Sequence, residues 1–179
     1  MPHAAVMGLG FHATNHVLEC AGGGRVARWS LQLTKGSHHL IVDRAAEGSQ
    51  VFTEAQDCVP TMGNDATRLW LAQQPDSKLS LPDGVAFSIE AHQRIFLQLH
   101  YFNTGAKNAE VSGHVELHIR ADAKPALEAK SLFSGSTDIT LLPQQTSRTR
   151  FFMEPSLAGG PVRHVFAMSS HTHQLAVRR

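Results

Sequence analysis

Imidazole is the side chain most often recruited as a metal ligand, and it titrates near neutral pH. This sequence holds twelve histidines, and three groups of them stand in patterns that could do chemistry. The first is His38-His39, within Lys35-Gly-Ser-His-His-Leu-Ile-Val42. Neighbours in a regular strand point to opposite faces, so both rings can reach one ion only at a strand end or a bulge. Gly36 and Ser37 supply such an end, and the plain alternative is a surface pair beside a turn. The second is His100, which shares a strand face with Phe96, Gln98 and Phe102; a lone histidine there is more often a satisfied core residue than a ligand. The third is His171-Thr-His173, whose spacing puts both rings on one face of a strand, a geometry that suits one ion. Its alternative is two exposed histidines on an edge strand.

The elements that must carry these residues read as strands. Residues 94–102 alternate, with Ile95, Leu97, Leu99 and Tyr101 on one face and the His100 set on the other, as expected for a strand buried on both sides. Residues 111–119 place Val111, Gly113, Val115, Leu117 and Ile119 together and leave His114, Glu116 and His118 on a wet face. Residues 28–33, 40–42, 85–89, 138–142 and 164–168 add short strands. Gly22-Gly-Gly24, Leu81-Pro-Asp-Gly84, Asn103-Thr-Gly105 and Ala158-Gly-Gly-Pro161 separate them by turn chemistry. The expected fold class is all-β, an antiparallel β-sandwich of jelly-roll type. One helix is expected, over residues 65–73, where Ala66, Leu69, Trp70 and Ala72 could form a short apolar stripe. Residues 120–125 lose periodicity and end in Pro125, which places a boundary near residue 123.

Composition narrows the function classes. At 42% hydrophobic and 17% charged residues the 179-residue chain is a folded one, and its formal charge of +1, with no run of either sign, argues against a nucleic-acid groove. No apolar stretch approaches the ~20 residues of a membrane span. Two cysteines, Cys20 and Cys58, are too few for a disulfide scaffold or a four-thiolate zinc site. Residues 1–8 show neither the basic n-region nor the apolar core of a secretory signal. His114 and His118 are roughly 13 Å apart along a strand, too far for one ion. His3, His12, His16 and His92 stand in no motif, and His164 has the opposite strand parity to His171; all are read as non-ligands. Zinc-dependent hydrolysis is disfavoured, because no glutamate stands near the histidines at the spacing of a general base.

Taken in order, His38-His39, the strand ending Leu97-Gln-Leu-His-Tyr101, and His171-Thr-His173 after Val165-Phe-Ala-Met168 resemble the copper type II, ascorbate-dependent monooxygenases, the family of peptidylglycine alpha-hydroxylating monooxygenase and dopamine beta-monooxygenase. Thr67-Arg-Leu-Trp-Leu71, Leu81-Pro-Asp-Gly-Val85 and His164-Val-Phe-Ala167 add to the likeness, which runs from about His38 to the C-terminus. The resemblance implies two jelly-roll sandwiches, each with one copper: residues 1–123 as the first, complete sandwich and 124–179 as the start of a second, incomplete one. It implies His38, His39 and His100 as ligands of an electron-transfer copper, and His171 and His173 as two ligands of an oxygen-binding copper completed by a methionine further downstream. Met168 has the wrong strand parity to replace that methionine, and Met153 and Met62 stay open. The implied activity is hydroxylation of a C–H bond of a small-molecule or peptide substrate with O2, ascorbate being the reductant. The chain would be a fragment of a secreted or periplasmic enzyme, with a Cys20–Cys58 disulfide or two buried thiols. The rival reading is a copper-binding module without catalysis, keeping only the three-histidine site.

Overall fold

The computed structural model describes residues 4–6, 10–20, 22–49, 56–57, 66–103, 107, 109–120, 127–133, 140, 142–148 and 164–170. Among them there is no helix. Twelve strands follow in order: β1 (Ala4–Val6), β2 (Gly10–Cys20), β3 (Gly24–Leu33), β4 (Ser37–Ala45), β5 (Gln56–Asp57), β6 (Ala66–Ala72), β7 (Asp76–Ser80), β8 (Val85–Ile89), β9 (Gln93–Asn103), β10 (Ala109–Val111), β11 (Gly113–Arg120) and β12 (Leu127–Glu128). The chain divides into two compact units, one of Met1–Ser131 with Phe166–Arg179 and one of Leu132–Val165.

The first unit is built on two five-stranded sheets and a small β1–β10 pair. One sheet runs β5-β2-β9-β4-β6; the other runs β11-β3-β8-β12, with β7 also on β3. All ladders are antiparallel except β12 on β8. Both sheets send apolar side chains into one core: Val26, Trp29 and Leu31 of β3 and Phe87 and Ile89 of β8 meet Leu40 and Val42 of β4, Leu69 of β6, and Ile95, Leu99 and Tyr101 of β9. Trp29 is fully buried and packs edge-on against Phe87, ring centroids 5.3 Å apart. Period-two patterning accounts for this, since the core residues of β9 are the alternate positions 95, 99 and 101.

Gly23 closes the β2–β3 turn at a positive φ of 61°, and a Cβ there would lie 2.6 Å from the backbone nitrogen of Ala91. Only glycine fits so close an approach.

Residues 66–72, expected to be helical, form β6 and pair with β4. Val42 pairs with Trp70 and Asp43 with Arg68, so Leu69 is an extra residue in β6. That bulge lets Leu69 and Ala72, three apart, both reach the core, and so imitates the apolar spacing of a helix. Residues 164–168, expected to be a strand, form none; Val165 is 82% and Met168 93% exposed, so nothing apolar is gained that would order a ladder. The strand expected over 138–142 lies mostly outside the described residues, and Thr140 and Leu142 are not in a strand. β11 follows its expected pattern as far as His118, with Val115 and Leu117 part-buried against the core and His114, Glu116 and His118 exposed, but a register shift after His118 leaves Ile119, expected on the dry face, exposed as well.

Candidate metal centre

The histidine pair is set by its approach. Lys35-Gly36 form a turn in which Gly36 has φ 96°, a conformation costly for any residue with a Cβ. The Ser37 amide donates to the Thr34 carbonyl at 3.1 Å, and the Phe102 amide donates to the Gly36 carbonyl at 3.0 Å, which pins the turn to β9. Ser37 then pairs with Tyr101 and His39 with His100, leaving His38 as an extra residue between two paired positions. A bulge of this kind re-aims a side chain. Here it brings two rings from adjacent residues together, with centroids 4.8 Å apart and Nδ1 of His38 2.7 Å from Nδ1 of His39.

His100 completes the group from the middle of the sheet. It stands directly opposite His39, ring centroids 4.3 Å apart, while Ala13 of β2 lies across from it on the other side. One ring nitrogen from each of His38, His39 and His100 falls within 4.8 Å of the others. His39 is 4% and His100 2% exposed, whereas His38 is half-buried, so the cluster opens on the His38 side.

Two ring nitrogens at 2.7 Å cannot face each other as bare lone pairs. Either one donates N–H to the other or a cation lies between them. Three neutral imidazoles suit copper, zinc, iron or nickel and offer no hard oxygen for calcium or magnesium. Among the described residues no carboxylate joins the group. The buried acid on the same sheet, Asp43, lies four residues along β4 from His39, roughly 13 Å away, and is held by Arg68, whose Nε donates to Oδ1 at 3.2 Å. Burial pushes the Asp43 carboxyl up from its ordinary value, and the Arg68 hydrogen bond and charge draw it part of the way back.

His171 and His173, read from the sequence as a second ligand pair, lie outside the described residues, as do Met62, Met153 and Cys58. Cys20 ends β2. Ser170, immediately before His171, is described: its carbonyl accepts a hydrogen bond from Gln73 Nε2 at 2.9 Å. His114 and His118 flank Glu116 on exposed β11, their Nε2 atoms 3.3 and 4.0 Å from its carboxylate oxygens, and they join no three-residue cluster. The Ser30 hydroxyl, and after it His114, hold Glu116 below the usual carboxylate range. His92 occupies a turn at φ 61°, and His164 is exposed.

Sequence reasoning marked Gly36 and Ser37 as the interruption of the strand but missed the hydrogen bond from the Phe102 amide that pins Gly36, and it missed Gln73, whose partner lies 97 positions away. No family model, no curated protein and no solved structure matches the chain.

Proposed function

We propose that the chain is a copper protein of the ascorbate-dependent monooxygenase kind, with His38, His39 and His100 as copper ligands. One observation carries this reading: three imidazoles, two of them almost fully buried, converge within 4.8 Å with no carboxylate among them. An all-nitrogen, largely dry ligand set accommodates both Cu(I) and Cu(II), which is what a one-electron carrier needs. Copper bound there would supply the one-electron steps that O2 activation requires. The residues of the chain do the rest. His39 and His100 are fixed by a β4–β9 ladder and keep water from the site, Gly36 holds the bulge that aims His38, and the half-exposed His38 edge leaves a route for reductant.

In the overall reaction a C–H bond becomes C–OH, one oxygen atom of O2 enters the product, and the other leaves as water with two protons and two electrons from ascorbate. The substrate is a small molecule or a peptide. The two sheets are read as a jelly-roll sandwich of that family, and its secreted or periplasmic setting is carried over in the same way.

The test is direct. The purified chain is loaded with copper and incubated with ascorbate, O2 and a panel of small-molecule and peptide substrates, with product mass, O2 uptake and copper content followed together. A product heavier by one oxygen atom, made only with copper and ascorbate, supports the enzyme. Bound copper with no product leaves a copper-binding module, and a chain that binds no copper overturns the reading.

A further inference from the structure

The face of β9 that carries His100 changes character at its C-terminal end. Pairing with β2 is one-to-one along the whole of β9, so Phe96, Gln98, His100 and Phe102 share one face. The first three are 6%, 1% and 2% exposed, and Phe102 is 48% exposed. The cover over this face therefore ends between His100 and Phe102, at the end of the sheet where His38 is half-buried. Gly36 lies beside Phe102 on β4 and accepts its amide at 3.0 Å. With no side chain at Gly36 that flank of the ring stays open, since a Cβ there would meet only Val111 Cγ1 at 3.5 Å.

Two cations flank the same spot. Lys35 directly precedes Gly36, and the Lys107 carbonyl accepts from Nδ2 of Asn103, the residue after Phe102, at 3.0 Å; both lysines are exposed. The acid on the neighbouring β10 is Glu110, and because Val111 is buried beside Gly36, alternation turns Glu110 the other way.

We propose that the electron donor of the copper centre docks on Phe102 between Lys35 and Lys107, and that this surface selects a small, flat, anionic donor of the ascorbate kind. The proposal rests on the reading of His38, His39 and His100 as a copper site. Phe102 is two residues from His100 on one strand face, roughly 7 Å along the strand, close enough for an electron to pass without a bond to the metal. A phenyl ring half in water offers a flat apolar face on which an unsaturated ring stacks. Ascorbate is a monoanion at neutral pH, so the lysines raise its local concentration and repel a cationic donor. In the step itself ascorbate gives one electron to Cu(II) and one proton to water, leaving Cu(I) and the ascorbyl radical anion.

The experiment uses the full chain loaded with Cu(II), unaltered and as Phe102→Ala, Phe102→Leu, Phe102→Tyr and Lys35→Gln/Lys107→Gln. Each is mixed with ascorbate or with hexaammineruthenium(II), a cationic outer-sphere donor, and decay of the Cu(II) electron paramagnetic resonance signal after rapid freezing gives the rate. Copper content and the resting spectrum are recorded for every variant. Phe102→Ala and Phe102→Leu should slow ascorbate about three- to tenfold, and Phe102→Tyr, which keeps the flat ring, should restore the rate. The double lysine variant should slow ascorbate about fivefold at low salt and lose the salt dependence. None of them should slow the cationic donor. Unaltered ascorbate rates in both Phe102→Ala and Phe102→Leu would overturn the proposal, and so would equal slowing of both donors by the Phe102 or the lysine variants, which marks a general disturbance of the centre. Phe102→Leu keeps an apolar side chain of similar bulk and supplies the comparison where Phe102→Ala shifts the resting spectrum. An unaltered chain that holds no copper would instead overturn the three-histidine reading beneath it.

Discussion

Replacing His100 separates a metal site from a merely buried histidine. The ring is 2% exposed, sits at the centre of the β5-β2-β9-β4-β6 sheet and faces His39 at 4.3 Å between centroids. Structural sites with four protein ligands bind their metal by about 10–16 kcal/mol, or roughly 3 kcal/mol per ligand. Losing one imidazole of three should therefore weaken copper binding on the order of 100-fold. Truncation to alanine also opens a cavity, which costs about 2 kcal/mol or more whether or not metal is present. His100→Phe keeps a ring of similar size and removes both nitrogens, so it isolates ligation from packing. Thermal unfolding with and without copper provides the assay. A ligand at 100 times its Kd stabilises the native state by about 2.7 kcal/mol, equal to roughly 5–10 °C for a unit of this size. The unaltered chain should show that rise, His100→Phe should lose most of it, and chelator competition should give the matching affinity change. A His100→Phe chain that keeps the full copper-dependent rise and the original affinity would refute the argument.

Other perturbations test the supports of the site. Gly36→Ala meets only an ordinary van der Waals contact, Val111 Cγ1 at 3.5 Å, so its cost comes from the positive φ: about 1–2 kcal/mol of stability together with weaker copper binding, measured by urea unfolding and copper competition. Asp43 binds a proton more tightly in the folded chain than in the unfolded one, because burial raises its carboxyl above 3.8 despite Arg68. Its contribution is present in acid and is lost as pH rises through the folded value. Arg68→Met should move that window upward and cost about 3 kcal/mol near pH 7, with a smaller loss near pH 5; urea midpoints that fall equally at both pH values would contradict this. Trp29→Ala should cost about 3–5 kcal/mol, since the indole is wholly buried where both sheets meet, and calorimetry would show a single large drop in Tm.

Much of this molecule is legible from alternation, and the limits of legibility follow from where alternation breaks. β9 and β11 keep period two through most of their length, and their core and outer faces follow from the residues alone. β2 is as long as β9 but carries polar residues at both parities, such as His12, Asn15, His16 and Glu19, so its place in the sheet is set by pairing along β9 and not by its own pattern. Asp43–Arg68 was equally hidden, because a buried ion pair is marked in sequence only as two ordinary charges 25 positions apart.

The two bulges in the ladders of β4, one in β4 itself at His38 and one in its partner β6 at Leu69, show why one site residue was readable and one element was not. At His38 the extra residue falls after Gly36, a glycine whose presence marks a turn, and two adjacent histidines there make sense only if the strand is interrupted. The chemistry of the pair thus signals the irregularity. At Leu69 the extra residue is an ordinary apolar side chain with no turn residue beside it, and a strand with one insertion then has the same apolar spacing as a helix. What decides between them is the partner: β4 offers a ladder on which six positions from Ala66 to Ala72 find register, and a helix there would leave that edge of β4 unpaired. A functional bulge can be read in sequence when its residues have a reason to converge, whereas a packing bulge is visible only from the strand it lies against.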